Sequence, residues 1–143
     1  MKNYSEKALW RVFSKYIRLR DADWRGYVRC ISCSTVRMWD DGIDAGHFYS
    51  VGSDKALKYN EVNCNGQCRS CNSFKSGNLL EYRRGMIAKY GEEVLKKLEV
   101  SHYIKTTRKK LNQAEINVMY DFYKKKVESI LSNRDKMKPY EVS

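Results

Sequence analysis

The sequence from Cys30 to Asn72 reads CISCSTVRMWDDGIDAGHFYSVGSDKALKYNEVNCNGQCRSCN, and its cysteine spacing decides the fold. Two C-x2-C pairs, Cys30 with Cys33 and Cys68 with Cys71, stand 34 residues apart. Each pair places two thiolates within reach of one metal ion, and two pairs complete the tetrahedral shell that structural zinc prefers. A four-thiolate shell leaves no open position for catalysis. We therefore expect one structural zinc ion that joins the two ends of this stretch.

Composition indicates a small basic protein with a polyanionic partner. The 143 residues, 42% of them hydrophobic, suit a single domain with a modest core that a metal ion would help to stabilise. The net charge is +11, and nucleic acid is the usual partner of so basic a chain. The alternative is a basic protein whose charge serves no specific partner.

Charge is unevenly distributed along the chain. Residues 1–37 carry a net charge of +6, residues 38–71 carry −2, and residues 72–143 carry +7. Phosphate-binding surfaces around a cation-binding pocket have such a distribution, and so do ordinary solvated helix faces.

The sequence shows no sign of secretion or membrane insertion. No apolar segment near its start resembles a signal peptide, and no apolar run is long enough to span a bilayer. The odd number of cysteines, five, favours metal binding over a disulfide framework. We expect a cytoplasmic protein without a membrane partner.

Hydrophobic periodicity and turn residues predict a mixed α+β fold. Short strands are expected around and after the first cysteine pair, over residues 27–29, 36–39 and 43–49. Helices are expected at both ends of the chain and after the second pair, over residues 6–20, 69–76, 79–90 and 92–99, with a last helix from Asn112. Patterns of the capping-box kind, Asn78 with Glu81 and Asn112 with Glu115, mark two of the helix starts.

Three residues between and after the cysteine pairs have the chemistry of phosphodiester cleavage. In that reaction a base deprotonates water while a divalent cation neutralises the developing charge. His47 is the natural base, and Asp44 and Asn72 offer hard oxygen atoms that suit Mg2+ or Mn2+. In a regular strand Asp44 and His47 face opposite sides, unless a bulge at Gly46 brings them together. A structural histidine beside the zinc is the alternative, but the position between the two pairs favours the base.

Two basic segments are candidates for DNA contact. They lie in the first and last predicted helices and comprise Lys7, Arg11, Lys15, Arg18, Lys124, Lys125 and Lys126. The last helix also has an apolar stripe, which would either pair two copies in a homodimer or pack on the core of its own chain. Residues 101–132 are expected to form a helical extension, and residues 133–143 a flexible tail.

Five short motifs follow one another in a characteristic order: Tyr16-Ile-Arg-Leu-Arg-Asp, Cys30-Ile-Ser-Cys, Asp44-Ala-Gly-His, Gln67-Cys-x-x-Cys-Asn and Lys75-Ser-Gly-Asn-Leu. They resemble the motifs of the NinG/Rap recombination endonucleases of lambdoid phages. The segment from Asn63 through Asn72 to Lys75, downstream of Asp44-x-Gly-His47, is also similar to an HNH, or His-Me finger, nuclease motif in which Asn replaces the final His. Phage endonuclease VII is similar in pairing a four-cysteine zinc site with an Asn directly after the last cysteine.

The resemblance implies a zinc-stabilised ββα-metal core of the His-Me finger type with flanking helices. His47 on the hairpin would be the base, and Asn72 on the helix would bind a catalytic Mg2+ or Mn2+. Asn63 would hold or orient the strand of His47, and Lys75 would contact phosphate. Asp44 would be either a ligand of this ion or an orienting group.

The implied function is metal-dependent endonuclease cleavage of branched DNA, such as Holliday junctions and D-loops. Two alternatives stay open: an HNH nicking endonuclease indifferent to branches, and a zinc-containing DNA-binding module without catalysis. A DNA-binding module without catalysis needs none of His47, Asn63 and Asn72, so their joint presence favours an enzyme. The expected nuclease core, with its N-terminal basic helix, covers residues 1–100.

Overall fold

The computed structural model describes residues 2–104 and 110–137. They form a mixed α+β structure with short antiparallel strands, as the sequence predicts. The elements, in chain order, are α1 (Glu6–Arg20), β1 (Tyr27–Arg29), β2 (Val36–Met38), β3 (Ile43–His47), a 3-10 turn (Lys55–Leu57), β4 (Cys64–Cys68), a π-helical turn (Ser70–Phe74), α2 (Leu79–Tyr90), α3 (Glu92–Ile104) and α4 (Gln113–Met137). None of these described helices combines the length and the apolar character needed to cross a lipid bilayer.

Two antiparallel hairpins bring the cysteine pairs together. β1 pairs with β2, and the first cysteine pair lies in the connection between them. β3 pairs with β4 in an unbroken register, with Ile43 opposite Cys68 and His47 opposite Cys64. The amide of Ile31 donates to a carbonyl of β4 at 3.0 Å, which joins the two hairpins.

β4 was not predicted, because its side chains are polar and nevertheless buried. Asn65 and Gln67 are both fully buried. Gly46 lies opposite Asn65 and diagonally across from Gln67, and a β-carbon at Gly46 would collide with the Gln67 side chain. The glycine therefore permits close packing in a regular register, and the bulge hypothesised at Gly46 is wrong.

α1 and α4 lie side by side and run in the same direction. Tyr4, just before α1, stacks on Tyr120 at 3.7 Å, and Arg134 near the end of α4 donates to the Leu19 carbonyl at 3.1 Å. The core between the helices contains residues of both, among them Leu9, Phe13, Ile17, Ile116, Tyr123 and Val127. Of the two uses predicted for the apolar stripe of α4, the structure shows packing on the core of its own chain.

α2 and α3 form a second core with the segment that connects β3 to β4. Tyr82 and Met86 of α2 and Leu95 and Leu98 of α3 pack together with Leu57. This unit covers the backbone that follows His47.

Several boundaries differ from the prediction. The strands expected over residues 36–39 and 43–49 end at Met38 and His47. The helix expected over residues 69–76 is a single π turn, and α3 continues to Ile104. α4 continues to Met137, so residues 133–137 are helical rather than part of a flexible tail. The rest of the predicted tail, residues 138–143, lies outside the described residues.

The two predicted capping boxes have different outcomes. Asn112 and Glu115 cap each other as predicted: the Glu115 amide donates to Oδ1 of Asn112 at 2.8 Å, and the Asn112 amide donates to Oε1 of Glu115 at 3.2 Å. Asn78 adopts a left-handed backbone with φ of 44° and makes no side-chain cap. Its side-chain nitrogen instead donates to the sulfur of Cys71 at 3.4 Å.

Candidate metal centre and active site

The four paired cysteines form one cluster, as the sequence predicts. The sulfur atoms of Cys30, Cys33, Cys68 and Cys71 lie within 4.8 Å of one another, and those of Cys33 and Cys68 are 3.7 Å apart. Sulfur ligands ~2.3 Å from a tetrahedral zinc ion are about 3.8 Å apart, so the cluster fits a structural zinc. Cys64 lies outside it, fully buried in the core beside α1.

Backbone amides support the sulfur atoms. The amide of Cys33 donates to the sulfur of Cys30, and the amide of Cys71 donates to the sulfur of Cys68, both at 3.5 Å. Burial raises the pKa of the Cys30, Cys68 and Cys71 thiols above the ordinary value. A cation at the centre of the cluster stabilises thiolates and so reverses this penalty.

His47, the last residue of β3, has a defined tautomer. Its Nε2 atom lies 2.9 Å from the carbonyl oxygen of Lys58. A carbonyl oxygen only accepts, so Nε2 carries the proton and Nδ1 has the lone pair of a base. Trp10 of α1 stacks on the imidazole, with ring centroids 5.2 Å apart. Burial, together with the nearby Lys58 ammonium, lowers the pKa of His47, so the ring is neutral at pH 7.

Asn63 fixes the backbone that follows His47. It is fully buried, and its amide oxygen accepts from the backbone amide of Tyr49 at 2.8 Å. Its amide nitrogen donates to the carbonyl oxygens of Tyr49 at 3.0 Å and Leu57 at 3.1 Å. Asn63 thus positions the chain around His47.

Two residues that the sequence did not single out support the same segment. The Tyr82 hydroxyl donates to the carbonyl oxygen of Gly46 at 2.6 Å. His102 of α3 lies 3.1 Å from the Asp54 carboxylate and stacks on Tyr49 with centroids 3.9 Å apart. These contacts join residues that are distant in sequence, so no local sequence pattern predicts them.

Asp44 and Asn72 contact each other. The Asn72 amide nitrogen donates to Oδ2 of Asp44 at 3.2 Å, and the Arg69 guanidinium donates to Oδ1 of Asp44 at 3.2 Å. The two side chains are close enough to be neighbouring ligands of one small cation.

His47 and Asn72 line one surface depression of about 590 Å³. Trp10, Ser76 and Leu79 also contribute to its lining. Asp44 does not line the depression, but it contacts Asn72, which does. Asp44 and His47 therefore point to opposite faces of β3, as expected for a regular strand.

The basic side chains predicted to contact DNA fall into two groups. Those that are exposed are Lys7, Arg11, Lys124, Lys125 and Lys126. Arg18 is half-buried; its guanidinium donates to the Trp39 carbonyl at 3.0 Å and lies 5.5 Å above the Trp39 ring. Lys15 lies above the same ring at 5.7 Å. The guanidinium of Arg18 is held within the fold, so it is less accessible to DNA than the exposed cations.

A charged clamp connects the end of α1 to β4. Arg20 and Asp21 form an ion pair at 2.8 Å, and their side chains are 20% and 8% exposed. Asp21 also accepts from the amide of Gly66 at 2.7 Å and from the Lys89 ammonium at 2.8 Å. Burial on its own raises the pKa of Asp21, but Arg20 and Lys89 outweigh it and hold the pKa below the usual value.

Comparison with known proteins decides the family. A family model described as the bacteriophage lambda NinG protein matches residues 1–133. The chain belongs to the NinG family. It is 36% identical over 103 residues to protein ninG of Escherichia phage lambda, 30% identical over 135 residues to that of Escherichia phage 933W, and 34% identical over 103 residues to that of Salmonella phage P22.

These NinG relatives are longer than the chain. The three matches cover 71%, 93% and 71% of this chain but 47%, 61% and 47% of the relatives. The chain thus spans about half the length of the lambda and P22 relatives. No solved structure matches it significantly. The resemblance to the NinG family that the motifs indicate is confirmed.

Proposed function

We propose that this member of the NinG family is a metal-dependent DNA endonuclease of the His-Me finger type that acts on branched DNA. The observation that carries the proposal is the placement of His47 and Asn72 in one depression. His47 ends one strand of a hairpin, and Asn72 lies in the helical turn directly after the partner strand. This order of strand, strand and helical turn, next to the cysteine cluster, is what a ββα-metal core would have.

His47 would supply the base. Its Nδ1 atom has the free lone pair because Nε2 donates to the Lys58 carbonyl, and its lowered pKa keeps the ring neutral. A water molecule beside a bound phosphodiester gives its proton to Nδ1 and attacks phosphorus through oxygen. The bond from phosphorus to the 3′ oxygen breaks, which leaves a 5′-phosphate and a 3′-hydroxyl end.

Asn72 would hold the catalytic Mg2+ or Mn2+ through its amide oxygen. Such an ion neutralises charge on the phosphate and on the leaving oxygen. Asp44 has two possible roles: it becomes a second ligand by giving up its Arg69 and Asn72 donors, or it orients Asn72. A large loss of cleavage in Asp44→Ala, together with weaker Mn2+ binding, would identify the ligand role.

Branched DNA is the proposed substrate for two reasons. The motifs resemble those of recombination endonucleases, and exposed cations lie on both α1 and α4. These helices run parallel to each other, and Lys7 and Arg11 on one and the run from Lys124 to Lys126 on the other are exposed. Such cations would bind the phosphates of DNA arms outside the depression.

The direct test is incubation with linear, nicked, forked and four-way DNA of matched sequence. We expect cleavage of four-way DNA in preference to linear DNA, with 5′-phosphate ends, and no cleavage when Mg2+ and Mn2+ are left out. Equal cleavage of all four substrates would identify a nicking endonuclease without branch selectivity. A folded, zinc-loaded protein that binds these DNAs and cuts none of them would identify a non-catalytic DNA-binding module.

A further inference from the structure

The segment from Arg69 to Leu79 forms a ridge between two depressions. Asn72 lines the depression that contains His47. Lys75 lines a second depression, of about 410 Å³, over the cysteine cluster. One short segment therefore separates the candidate active site from the zinc side of the molecule.

The ridge carries an exposed aromatic ring. Phe74 is 84% exposed, the highest value among the large hydrophobic side chains of the described residues. It lies two residues after Asn72 and one before Lys75, and it belongs to the lining of neither depression. Leu79 and Leu80, which follow on the chain, are 48% and 81% exposed. Apolar exposure beside a candidate active site indicates contact with a partner.

The second depression is basic. Arg37, Arg69 and Lys75 line it, and all three are exposed. Among the described residues its lining contains no carboxylate. Arg69 also pairs with Asp44 at 3.2 Å, which connects this basic surface to the candidate active site. Three cations beside an exposed ring complement a phosphate backbone with accessible bases.

We propose that the ridge binds unpaired nucleotides, with Phe74 stacked on a base and with Arg37, Arg69 and Lys75 on the phosphates of the same strand. This inference rests on the proposed endonuclease function and names the feature of the substrate that the site selects. A strand with its phosphate between His47 and Asn72 crosses the ridge to reach the basic depression, which brings its bases to Phe74.

The chemistry of the ridge favours unpaired over duplex DNA. Proteins bind single strands by combining cations along the backbone with aromatic rings on which bases stack. In a duplex the bases stack on one another and have no free face for Phe74. At a fork, or at a branch point where base pairs open, the first unpaired base has such a face, so the ridge would recognise the discontinuity next to the cleaved bond.

The test measures DNA binding in a His47→Ala background, so that the DNA stays intact. The probes are a duplex and a fork with unpaired arms of the same sequence. Stacking of one base changes affinity by roughly 5- to 150-fold, so Phe74→Ala should weaken fork binding within that range and change duplex binding by less than about twofold. Phe74→Tyr keeps the ring and should bind the fork as tightly as the parent.

Tyr103→Ala is the matched control. Tyr103 lies on α3, is 80% exposed and lines neither depression, so its loss should change the binding of neither DNA. The double variant Arg37→Gln and Lys75→Gln should bind both DNAs more weakly, and its binding should depend less on salt concentration. The proposal is overturned if Phe74→Ala weakens fork and duplex equally, if Tyr103→Ala has the same effect as Phe74→Ala, or if the parent binds neither DNA.

A second experiment measures DNA cleavage by the Phe74→Ala variant that retains His47. It distinguishes a failure of the ridge proposal from a failure of the nuclease proposal. If the wild-type protein cuts DNA and Phe74→Ala keeps the same branch preference, the ridge proposal fails and the nuclease stands. If fork binding depends on Phe74 in a protein that cuts no DNA, the nuclease proposal fails and the ridge stands.

Discussion

His47 owes its proposed chemistry to residues that are distant in sequence. The Lys58 carbonyl fixes its tautomer, and Trp10 covers its ring. The spacing of the motifs predicted that His47 and Asn72 would matter, because the cysteine pairs on either side bring them together. It did not predict Lys58 or Trp10, because tertiary packing alone selects them.

The lowered pKa of His47 predicts a pH profile. Burial and the Lys58 ammonium lower the pKa, so the base is already unprotonated at a pH below the ordinary value of ~6.5. Cleavage should rise with pH to a plateau, with its inflection below ~6.5. Lys58→Met keeps the carbonyl but removes the charge, so the inflection should move to higher pH. An inflection that does not move, measured in single-turnover cleavage, would contradict this account of the pKa.

Two kinds of element differ in how far the sequence determines them. β1, β2 and β3 follow from turn residues and apolar alternation around the first cysteine pair. β4 has no such pattern, because Asn65 and Gln67 are buried through hydrogen bonds; Asn65, for example, accepts from the Tyr90 hydroxyl at 2.6 Å. In the sequence, Arg20 and Asp21 appeared only as part of a family motif. The ion-pair clamp that they form was not predicted, because its partners on β4 and α2 are distant in sequence.

The clamp between α1 and β4 predicts a large effect on stability. Asp21→Ala leaves Arg20 and Lys89 without their shared carboxylate, and breaking a buried ion pair in this way costs about 3 kcal/mol of unfolding free energy. Asp23→Ala is the control, because Asp23 is 39% exposed and, among the described residues, its one ion pair is with Arg25. Its carboxylate also accepts from the amides of Arg25 and Tyr27, and we expect a loss of about 1 kcal/mol. Urea unfolding measures both. Similar losses in the two variants would show that the clamp adds no more stability than the exposed pair of Asp23 and Arg25.

The cysteine cluster predicts that zinc and folding are inseparable. Cys68→Ser should lose the metal and unfold the two hairpins, because the binding energy of a structural zinc is folding energy in a small domain. Cys64→Ser should keep one zinc per chain, since Cys64 lies outside the cluster. Metal analysis and circular dichroism report the two outcomes. A folded protein that contains no zinc would rule out this role for the cluster.

At the scale of the whole molecule, the net charge of +11 predicts salt-dependent DNA binding. Replacing Lys124, Lys125 and Lys126 by Gln should make the slope of log affinity against log salt shallower by about 0.9 for each phosphate that these lysines neutralise. Arg18→Gln should leave the slope unchanged and lower the thermal stability, because Arg18 holds Trp39. If the triple lysine variant and Arg18→Gln changed the slope equally, the lysine run would contribute no more to DNA contact than Arg18 does.

Cleavage of four-way DNA by His47→Ala tests the central claim most directly. The variant should retain its zinc and its DNA affinity but cut ~10^2- to 10^4-fold more slowly in Mg2+, and added imidazole should restore part of the rate, because it replaces the missing base. A folded His47→Ala protein that cuts at the wild-type rate would contradict the account.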